Sequence, residues 1–392
     1  MSREKGRERQ RERGGYPRSH LGQQNDNNKQ TKSLGLMYPK LKMSREKGRE
    51  RQRERGGYPR SHLGQQNDNN KQTKSLGKYN NLNSSDYEKI DLTPWDLQFL
   101  PLETIQRGHL FHQPIPNQNQ INHLKQTLST TLSYFPPLSR LIITQHNVTT
   151  NNNNTSCSII CNNLGALFVH ATTQNTTVDD IFQSNYTPLI VHSFFPFNGV
   201  KNYEATSKPT LAVQVTELSN GVFIEFTCNH IVADAKSFWH FVNSWSQILK
   251  DVRPRMIPPL EEDYFGNAVV VNECEIGKVA LEINKMILLH SDEKIRNHYE
   301  SWLRTRRLFQ SGSSLGGNKL AISSSPRFDV FGNDFGWGKP VAVRSGSGNK
   351  NNGKISVFAG AEEGSIDVEI CLSYEILEAL ANDVEFLVPI SK

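Results

Sequence analysis

The hydrophobic and polar positions of residues 118–135 repeat with the period of an α-helix. Apolar residues there are three or four positions apart, and two prolines follow directly. The apolar positions are Ile121, Leu124, Leu128, Leu132 and Phe135. The pattern predicts an amphipathic helix that ends before Pro136.

Shorter apolar stretches after this helix predict β-strands: RLIITQ, CSIIC and GALFVHA. The first two surround a polar, low-complexity segment at 147–155, which we interpret as a loop. Residues 211–217 and 222–229 flank an Asn-Gly pair, which is a turn signal because both residue types tolerate positive φ. These two segments are predicted to form a β-hairpin.

His230 lies where the second strand of this hairpin gives way to a helix. Apolar and polar residues alternate up to Asn229, and from Lys236 the apolar residues take helical spacing. They are Phe238, Phe241, Val242, Trp245 and Ile248. A side chain at such a strand end can do chemistry, although a histidine there can also be purely structural. His240 falls on the opposite face of the helix, where we expect it to be solvated.

The last third of the chain mixes helix and strand signals. A proline-rich connector precedes a predicted helix near 278–309, which contains HSDEKIRNHYESWLRTRRLF. Strands and loops then alternate, and a last helix is predicted from Ser373. The patterns together indicate a mixed α/β protein.

An identical segment of 35 residues occurs twice at the start of the chain, at 1–35 and 43–77. It is poor in aliphatic residues and cannot bury a face, so we expect residues 1–85 to form a disordered basic tail. The first 77 residues hold 20 of the 45 Lys and Arg but only 8 of the 39 Asp and Glu, which leaves −6 for the rest. Arg and Glu alternate without interleaved aromatic residues, so we expect no nucleic-acid binding.

The sequence has neither an apolar signal segment nor a stretch of about 18 apolar residues, so we expect a cytoplasmic protein without a membrane span. Its five cysteines lack the paired spacing of a zinc site, and their odd number argues against a disulfide framework. They are Cys157, Cys161, Cys228, Cys274 and Cys371. We interpret them as buried thiols and predict no metal site.

His230 and Asp234 have H-x-x-x-D spacing. A histidine at this position can present Nε2 to a pocket and take a proton from a hydroxyl or amine, which contributes about 10²- to 10⁴-fold in rate. Asp234 can hold the ring and the turn in place. Because Asp234 directly precedes the predicted helix, it is also a candidate N-cap.

Three other segments approach catalytic motifs. GSSLG at 312–316 fits the serine-hydrolase G-x-S-x-G, but a predicted helix precedes it and a strand follows, the reverse of a nucleophile elbow. GNKNNGKI at 348–355 approaches a phosphate loop but has Ile355 where Ser or Thr belongs, and we interpret it as a hairpin loop. DFG at 334–336 lacks the other kinase segments, and its glycines favour a tight turn in which Trp337 fills a hole between sheets.

The H-x-x-x-D segment, followed about a hundred residues later by DFGWG, resembles the plant BAHD acyltransferases. The segments LTPWDL, NHIVADAKSFWHF and FGNDFGWGKPVAVRSG carry the resemblance, which runs from about Leu92 to the C-terminus. It implies a two-domain α/β fold with mixed β-sheets, like chloramphenicol acetyltransferase, and a channel between the domains. We expect the first domain at 86–250 and the second, which carries DFGWG, at 251–392.

The resemblance also implies roles for residues. His230 corresponds to the general base, and Asp234 to an aspartate that pairs with an arginine, for which Arg253 is the best match and Arg255 the reserve. The second motif corresponds to a structural element away from the reacting atoms: Asp334, Phe335, Gly336, Trp337 and Gly338. The implied enzyme is a monomer that needs no metal and uses acyl-CoA as co-substrate and a small-molecule alcohol or amine as acceptor. The residues that contact CoA are not assigned.

The chain departs from the family pattern in three places. KYNNLNSSDYEK replaces the expected first strand, and a glycine expected between Ser139 and Arg140 is absent. Roughly a hundred residues expected between Leu249 and DVRPR are missing, which leaves the second domain incomplete. Such a loss opens sheet edges and removes part of the channel wall. The alternative is therefore a catalytically inactive, truncated family member that is unstable or only binds.

Overall fold

The computed structural model describes most of the chain from residue 89 onward and two short segments before it. The described residues are 42–45, 72–76, 89–112, 115–139, 141–149, 152–160, 165–184, 186–251, 276–289, 291–305, 308, 320–325, 328–348, 350, 352–362 and 364–383.

The described strands number thirteen. They are β1 (Lys42–Arg45), β2 (Gln72–Leu76), β3 (Lys89–Asp91), β4 (Ile105–His112), β5 (Leu141–Thr149), β6 (Asn152–Ile160), β7 (Ala166–Thr172), β8 (Leu211–Leu218), β9 (Gly221–Cys228), β10 (Ala321–Ser325), β11 (Ala342–Ser345), β12 (Lys354–Ala359) and β13 (Ile366–Leu372). The α-helices in the same ranges are α1 (Pro94–Leu97), α2 (Gln118–Leu132), α3 (Val178–Phe182), α4 (Ala235–Leu249), α5 (Ile276–Leu288), α6 (Asp292–Arg304) and α7 (Tyr374–Asn382).

The predicted hairpin forms the centre of a six-stranded sheet, in the order β11-β4-β9-β8-β7-β2. All eight residues of β9 are buried, so both faces of the sheet are covered here. Helices α2 and α4 cover one face, where Trp245 Nε1 donates to Thr127 Oγ1 at 3.0 Å. Phe194, Phe195 and Phe223 pack on the other face. The helical periodicities of α2 and α4 are confirmed.

The second half of the chain contributes to two sheets. Strand β11 pairs antiparallel with β4 and so completes the six-stranded sheet. Strands β10, β12 and β13 form a four-stranded sheet with β1, in the order β1-β13-β12-β10. The remaining strands form a small sheet in the order β3-β6-β5. The predicted mixed α/β architecture is confirmed.

Residues 42–45 and 72–76, which lie within the expected tail, are short strands that pair with β13 and β7. Three local predictions were wrong. Residues 147–149 and 152–155 of the expected loop extend β5 and β6, because the two strands pair as far as Thr149 and Asn152. The helix expected at 278–309 is two helices, and GNKNNGKI joins strands of different sheets instead of forming a hairpin.

Three cysteines lie in the described residues, and all three, Cys157, Cys228 and Cys371, are buried as predicted. Cys161 and Cys274 lie outside the described residues. Within the described ranges, no helix has the length and apolar character needed to cross a membrane. The same ranges contain no group of three or more His, Cys, Asp or Glu side chains placed to hold a metal ion.

Candidate active site

His230 follows β9 directly, and two asparagines fix the turn that carries it. The backbone N–H of His230 donates to Asn202 Oδ1 at 3.0 Å, and Asn229 Nδ2 donates to the carbonyl of Asn202 at 2.8 Å. Asn229 Oδ1 also accepts from the N–H of Ile231 at 3.0 Å. Both asparagines are buried, and buried amides with satisfied hydrogen bonds define one backbone path.

The His230 ring is partly buried and stacks on Phe99, with ring centroids 4.7 Å apart and planes 12° from parallel. Its Nδ1 is inaccessible to solvent and makes no hydrogen bond within the described structure. Burial lowers the pKa of His230 below its ordinary value; the Asp234 carboxylate opposes this shift, and the positive charges of Arg107 and Lys354 add to it. The imidazole is therefore neutral near pH 7, as a general base must be.

Asp234 is the N-cap of α4. Its Oδ1 accepts a hydrogen bond from the backbone N–H of Ser237 at 2.6 Å, and its backbone is extended. The N-cap interpretation of Asp234 is therefore confirmed. The arginines predicted to pair with this aspartate, Arg253 and Arg255, lie outside the described residues.

Asp334 organises the DFGWG segment into a tight turn. Its Oδ1 accepts from the N–H groups of Gly336 at 2.9 Å and Gly338 at 2.8 Å, while its Oδ2 lies 3.0 Å from Lys250 Nζ. The two glycines have φ values of +94° and +78°, a region that favours glycine. The backbone N–H of Asp334 donates to Ser246 Oγ at 3.2 Å, so the turn is held to α4.

The two aromatic residues of the motif are buried against the six-stranded sheet and α4. Phe335 packs on Trp245 of α4, with ring centroids 4.9 Å apart, and on Phe226 of β9 at 5.9 Å. Trp337 packs on Phe111 of β4 at 5.8 Å. The motif therefore packs against β9, the strand that ends just before His230, and against α4, the helix that follows it.

Sequence reasoning assigned no role to Arg107 and Lys354, whose positive charges lower the pKa of His230, or to Glu369. Arg107 belongs to β4 and Lys354 begins β12, and both are partly buried. Glu369 of β13 is buried and lies 2.9 Å from Lys350 Nζ. Charged residues inside strand patterns are a sequence signal that could have found them, but their proximity comes from strands far apart in the chain.

A second histidine, His109 of β4, lies fully inside the core. It stacks on Trp239 at 5.5 Å, and burial lowers its pKa to about 3. No solvent reaches it, so it is a neutral core residue, whereas His230 is only partly buried. The serine-hydrolase match at 312–316 lies outside the described residues.

Comparison with known proteins places the chain among acyltransferases. A family model described as "Transferase family" matches residues 82–252 and again 247–387. An uncharacterized acetyltransferase of Arabidopsis thaliana is 31% identical, with 78% of this chain and 96% of the relative aligned. A protein named BAHD acyltransferase DCR, from the same plant, is 26% identical over 57% of this chain and 71% of its own length.

A solved structure shares the fold. TRI101 of F. sporotrichioides, in complex with coenzyme A and T-2, superposes with a TM-score of 0.58. The alignment covers 76% of this chain and 98% of that protein at 14% sequence identity. The predicted acyltransferase-type fold is therefore confirmed.

The alignment with the acetyltransferase also contains positions that have no counterpart in this chain. The alignment with the acetyltransferase has 426 positions, whereas 78% of 392 residues is about 306, so roughly 120 positions have no counterpart here. The two matches to the family model meet at residues 247–252. That junction is the point at which the sequence analysis expected a missing segment.

Proposed function

Because the chain belongs to the BAHD acyltransferase family, we propose that it moves an acyl group from acyl-CoA to a hydroxyl or amine of a plant specialised metabolite, with His230 as general base. The observation that carries the proposal is the His230 ring itself. It is neutral and partly exposed; the ring stacks on Phe99, and a hydrogen bond to Asn202 fixes its backbone. A base held in one position at the start of α4 meets the requirements of general-base catalysis.

In the proposed reaction, His230 takes the proton of the acceptor hydroxyl or amine while that oxygen or nitrogen attacks the thioester carbonyl. The new bond to the acyl carbon forms, and the carbon–sulfur bond then breaks. The CoA thiolate leaves and takes the proton from the His230 imidazolium, which restores the neutral ring. No metal or further cofactor enters this scheme.

Asp234 and the DFGWG turn hold other residues in place in this scheme and do not themselves react. Asp234 caps α4 and keeps the turn after His230 in place. Its carboxylate also favours the imidazolium that forms during the reaction, since it raises the pKa of His230. We extend the proposal to the pairing of Asp234 with Arg253, whose position in sequence supports it.

The same proposal places the enzyme in the cytoplasm as a monomer. The buried thiols at Cys157, Cys228 and Cys371 suit a reducing compartment. Size-exclusion chromatography with light scattering would test the monomeric state.

The second candidate function is that of a catalytically inactive family member, which keeps the fold of the first half of the chain but does not transfer acyl groups. The roughly 120 alignment positions without a counterpart favour it, because they remove a sizeable part of a two-domain protein. The two candidates differ in one respect: only the enzyme releases CoA in the presence of an acceptor.

The deciding experiment measures free CoA thiol released from acetyl-CoA, malonyl-CoA and a hydroxycinnamoyl-CoA with mixed alcohol and amine acceptors. The wild type is compared with His230→Ala and with the control His240→Ala, in which a histidine on the other face of α4 is lost. We expect acceptor-dependent release to fall about 10²- to 10⁴-fold in His230→Ala and to persist in His240→Ala. Equal background release from all three proteins would establish the inactive candidate instead.

A further inference from the structure

The His230 ring lacks the contact that usually orients a histidine base. An imidazole that accepts a proton at one nitrogen carries its own proton on the other, and an acceptor at that second nitrogen normally fixes the ring. Nδ1 of His230 is buried and makes no hydrogen bond to any described residue. The Asp234 carboxylate, four residues on, caps α4 instead. Any fixed orientation of the ring must therefore come from another contact.

Phe99 covers one face of the His230 imidazole. The two ring centroids are 4.7 Å apart and the ring planes are 12° from parallel. Such a stack restricts rotation about both side-chain bonds of the histidine, because either rotation would separate the faces or drive them together. Phe99 is itself packed against a small hydrophobic cluster that contains Ile159, Ala205 and Ile231. The stack is therefore backed by the core of the protein.

The side chain of Asn202 joins the two partners of this stack. Its Nδ2 donates to the carbonyl of Phe99 at 2.9 Å, and its Oδ1 accepts from the N–H of His230 at 3.0 Å. Asn202 is 0% exposed, so water does not compete for these bonds. Because the amide group is short and planar, it holds the two backbones at a fixed separation.

The backbone around Asn202 adds bonds to the same two segments. The N–H of Asn202 donates to the carbonyl of Leu102 at 2.8 Å, and the N–H of Tyr203 donates to that of Leu100 at 3.1 Å. On the other side, Asn229 Nδ2 donates to the carbonyl of Asn202 at 2.8 Å. The segment before β4 and the turn after β9 are therefore tied to one loop.

We propose that Asn202 is a positioning residue that sets the stack of Phe99 on His230, and that this stack orients the imidazole in place of a hydrogen bond at Nδ1. The inference rests on the proposed acyltransferase function. Asn202 fixes where the histidine side chain starts, and Phe99 fixes the direction in which its Nε2 points. Orientation matters to the reaction because a misplacement of about 1 Å can cost about 10²-fold in rate.

The first arm of the test detects the stack without any turnover. Imidazole C–H protons that lie over an aromatic ring are shifted upfield by its ring current. In the full chain with ¹³C-labelled histidine, the His230 signals, assigned by their loss in His230→Ala, should therefore lie upfield of the ordinary range. Phe99→Leu should remove this upfield shift, whereas Phe99→Tyr keeps an aromatic ring and should retain it.

Two further variants separate positioning from general damage. Asn202→Ala should reduce the upfield shift although Phe99 is still present. If Asn202→Ala does not fold, because it leaves buried backbone groups without partners, Phe99→Leu still tests the stack. The control is Phe135→Leu, the same change at a partly buried phenylalanine that contacts the His240 ring edge-on at 5.2 Å. It should leave the His230 signals unchanged.

The second arm measures thiol release from acyl-CoA with acceptors on the same proteins. We expect kcat to fall about 10- to 100-fold in Phe99→Leu with KM little changed, and both to stay near the wild type in Phe99→Tyr and Phe135→Leu. The proposal is overturned if the wild type shows no upfield shift, if the shift persists in Phe99→Leu, or if an active Phe99→Leu keeps its kcat. If the shifts behave as expected and no protein releases thiol, the stack stands and only the acyltransferase function is rejected.

Discussion

The His230 imidazole must be neutral to accept a proton, and its pKa decides the acid limit of activity. Burial and the charges of Arg107 and Lys354 hold this pKa below the ordinary 6.5. We therefore expect kcat/KM to fall on the acid side with a midpoint below pH 6.5. Lys354→Met removes one positive charge and should move this midpoint upward, whereas Lys339→Met should leave it unchanged. A midpoint at or above 6.5 in the wild type would contradict the structural account.

At the scale of elements, the DFGWG turn joins the end of α4 to the second half of the chain. Asp334 accepts two backbone hydrogen bonds and pairs with Lys250. Asp334→Ala should lower the free energy of unfolding by about 1–3 kcal/mol, measured by urea denaturation, because two charge-assisted bonds disappear. Lys250→Met removes only a surface pair and should cost less, at most about 1 kcal/mol.

The contribution of Asp334 also has a pH signature. Burial tends to raise its pKa, but the bonds from Lys250, Gly336 and Gly338 outweigh this and hold the pKa below 3.8. A carboxyl group whose pKa is lower in the folded state than in the unfolded state stabilises the protein at pH values above the unfolded-state pKa. This stabilisation is lost as the pH falls through the folded-state pKa. The difference in the free energy of unfolding between the wild type and Asp334→Ala should therefore become smaller only below about pH 4. If this difference stayed constant until the protein unfolds in acid, the ionised Asp334 carboxylate would not be its source.

The strongest local patterns predicted the elements that build the site. The helical period predicted α2 and α4, because each helix buries one apolar face. The Asn-Gly pair predicted the turn between β8 and β9. The Asn-rich part of β5 and β6 has no such period, and pairing between the strands makes it extended. The break between α5 and α6 had a readable signal, since Ser291 caps α6 and two acidic residues follow it.

The site itself was only half predictable. His230, Asp234 and Asp334 stand in short motifs, and the family resemblance carried by those motifs pointed to them. Asn202 orders the turn from 28 residues away, and the Arg107 guanidinium of β4 lies over the Phe358 ring of β12, a strand of another sheet. No local period encodes such meetings, which depend on topology.

At the scale of the whole molecule, the first 77 residues contribute two strands to sheets made by the rest of the chain. β2 pairs with the outer side of β7, and β1 pairs with β13. Deleting residues 1–77 exposes both strand edges, so we expect the free energy of unfolding to fall by a few kcal/mol, at about 0.5–1.5 kcal/mol for each hydrogen bond lost. Exposed edges should also increase aggregation, measured by light scattering.

The matched control is a deletion of residues 1–41, which leaves both strands in the chain. Urea denaturation of this variant should give the stability of the full chain, because the deleted part contributes no described strand. If the two deletion variants have the same free energy of unfolding, β1 and β2 do not stabilise the fold, and the basic repeat lies outside the folded protein. If only the longer deletion is destabilised, the second copy of the repeat is part of the folded protein, since residues 72–76 cover an edge that the body of the chain leaves unpaired.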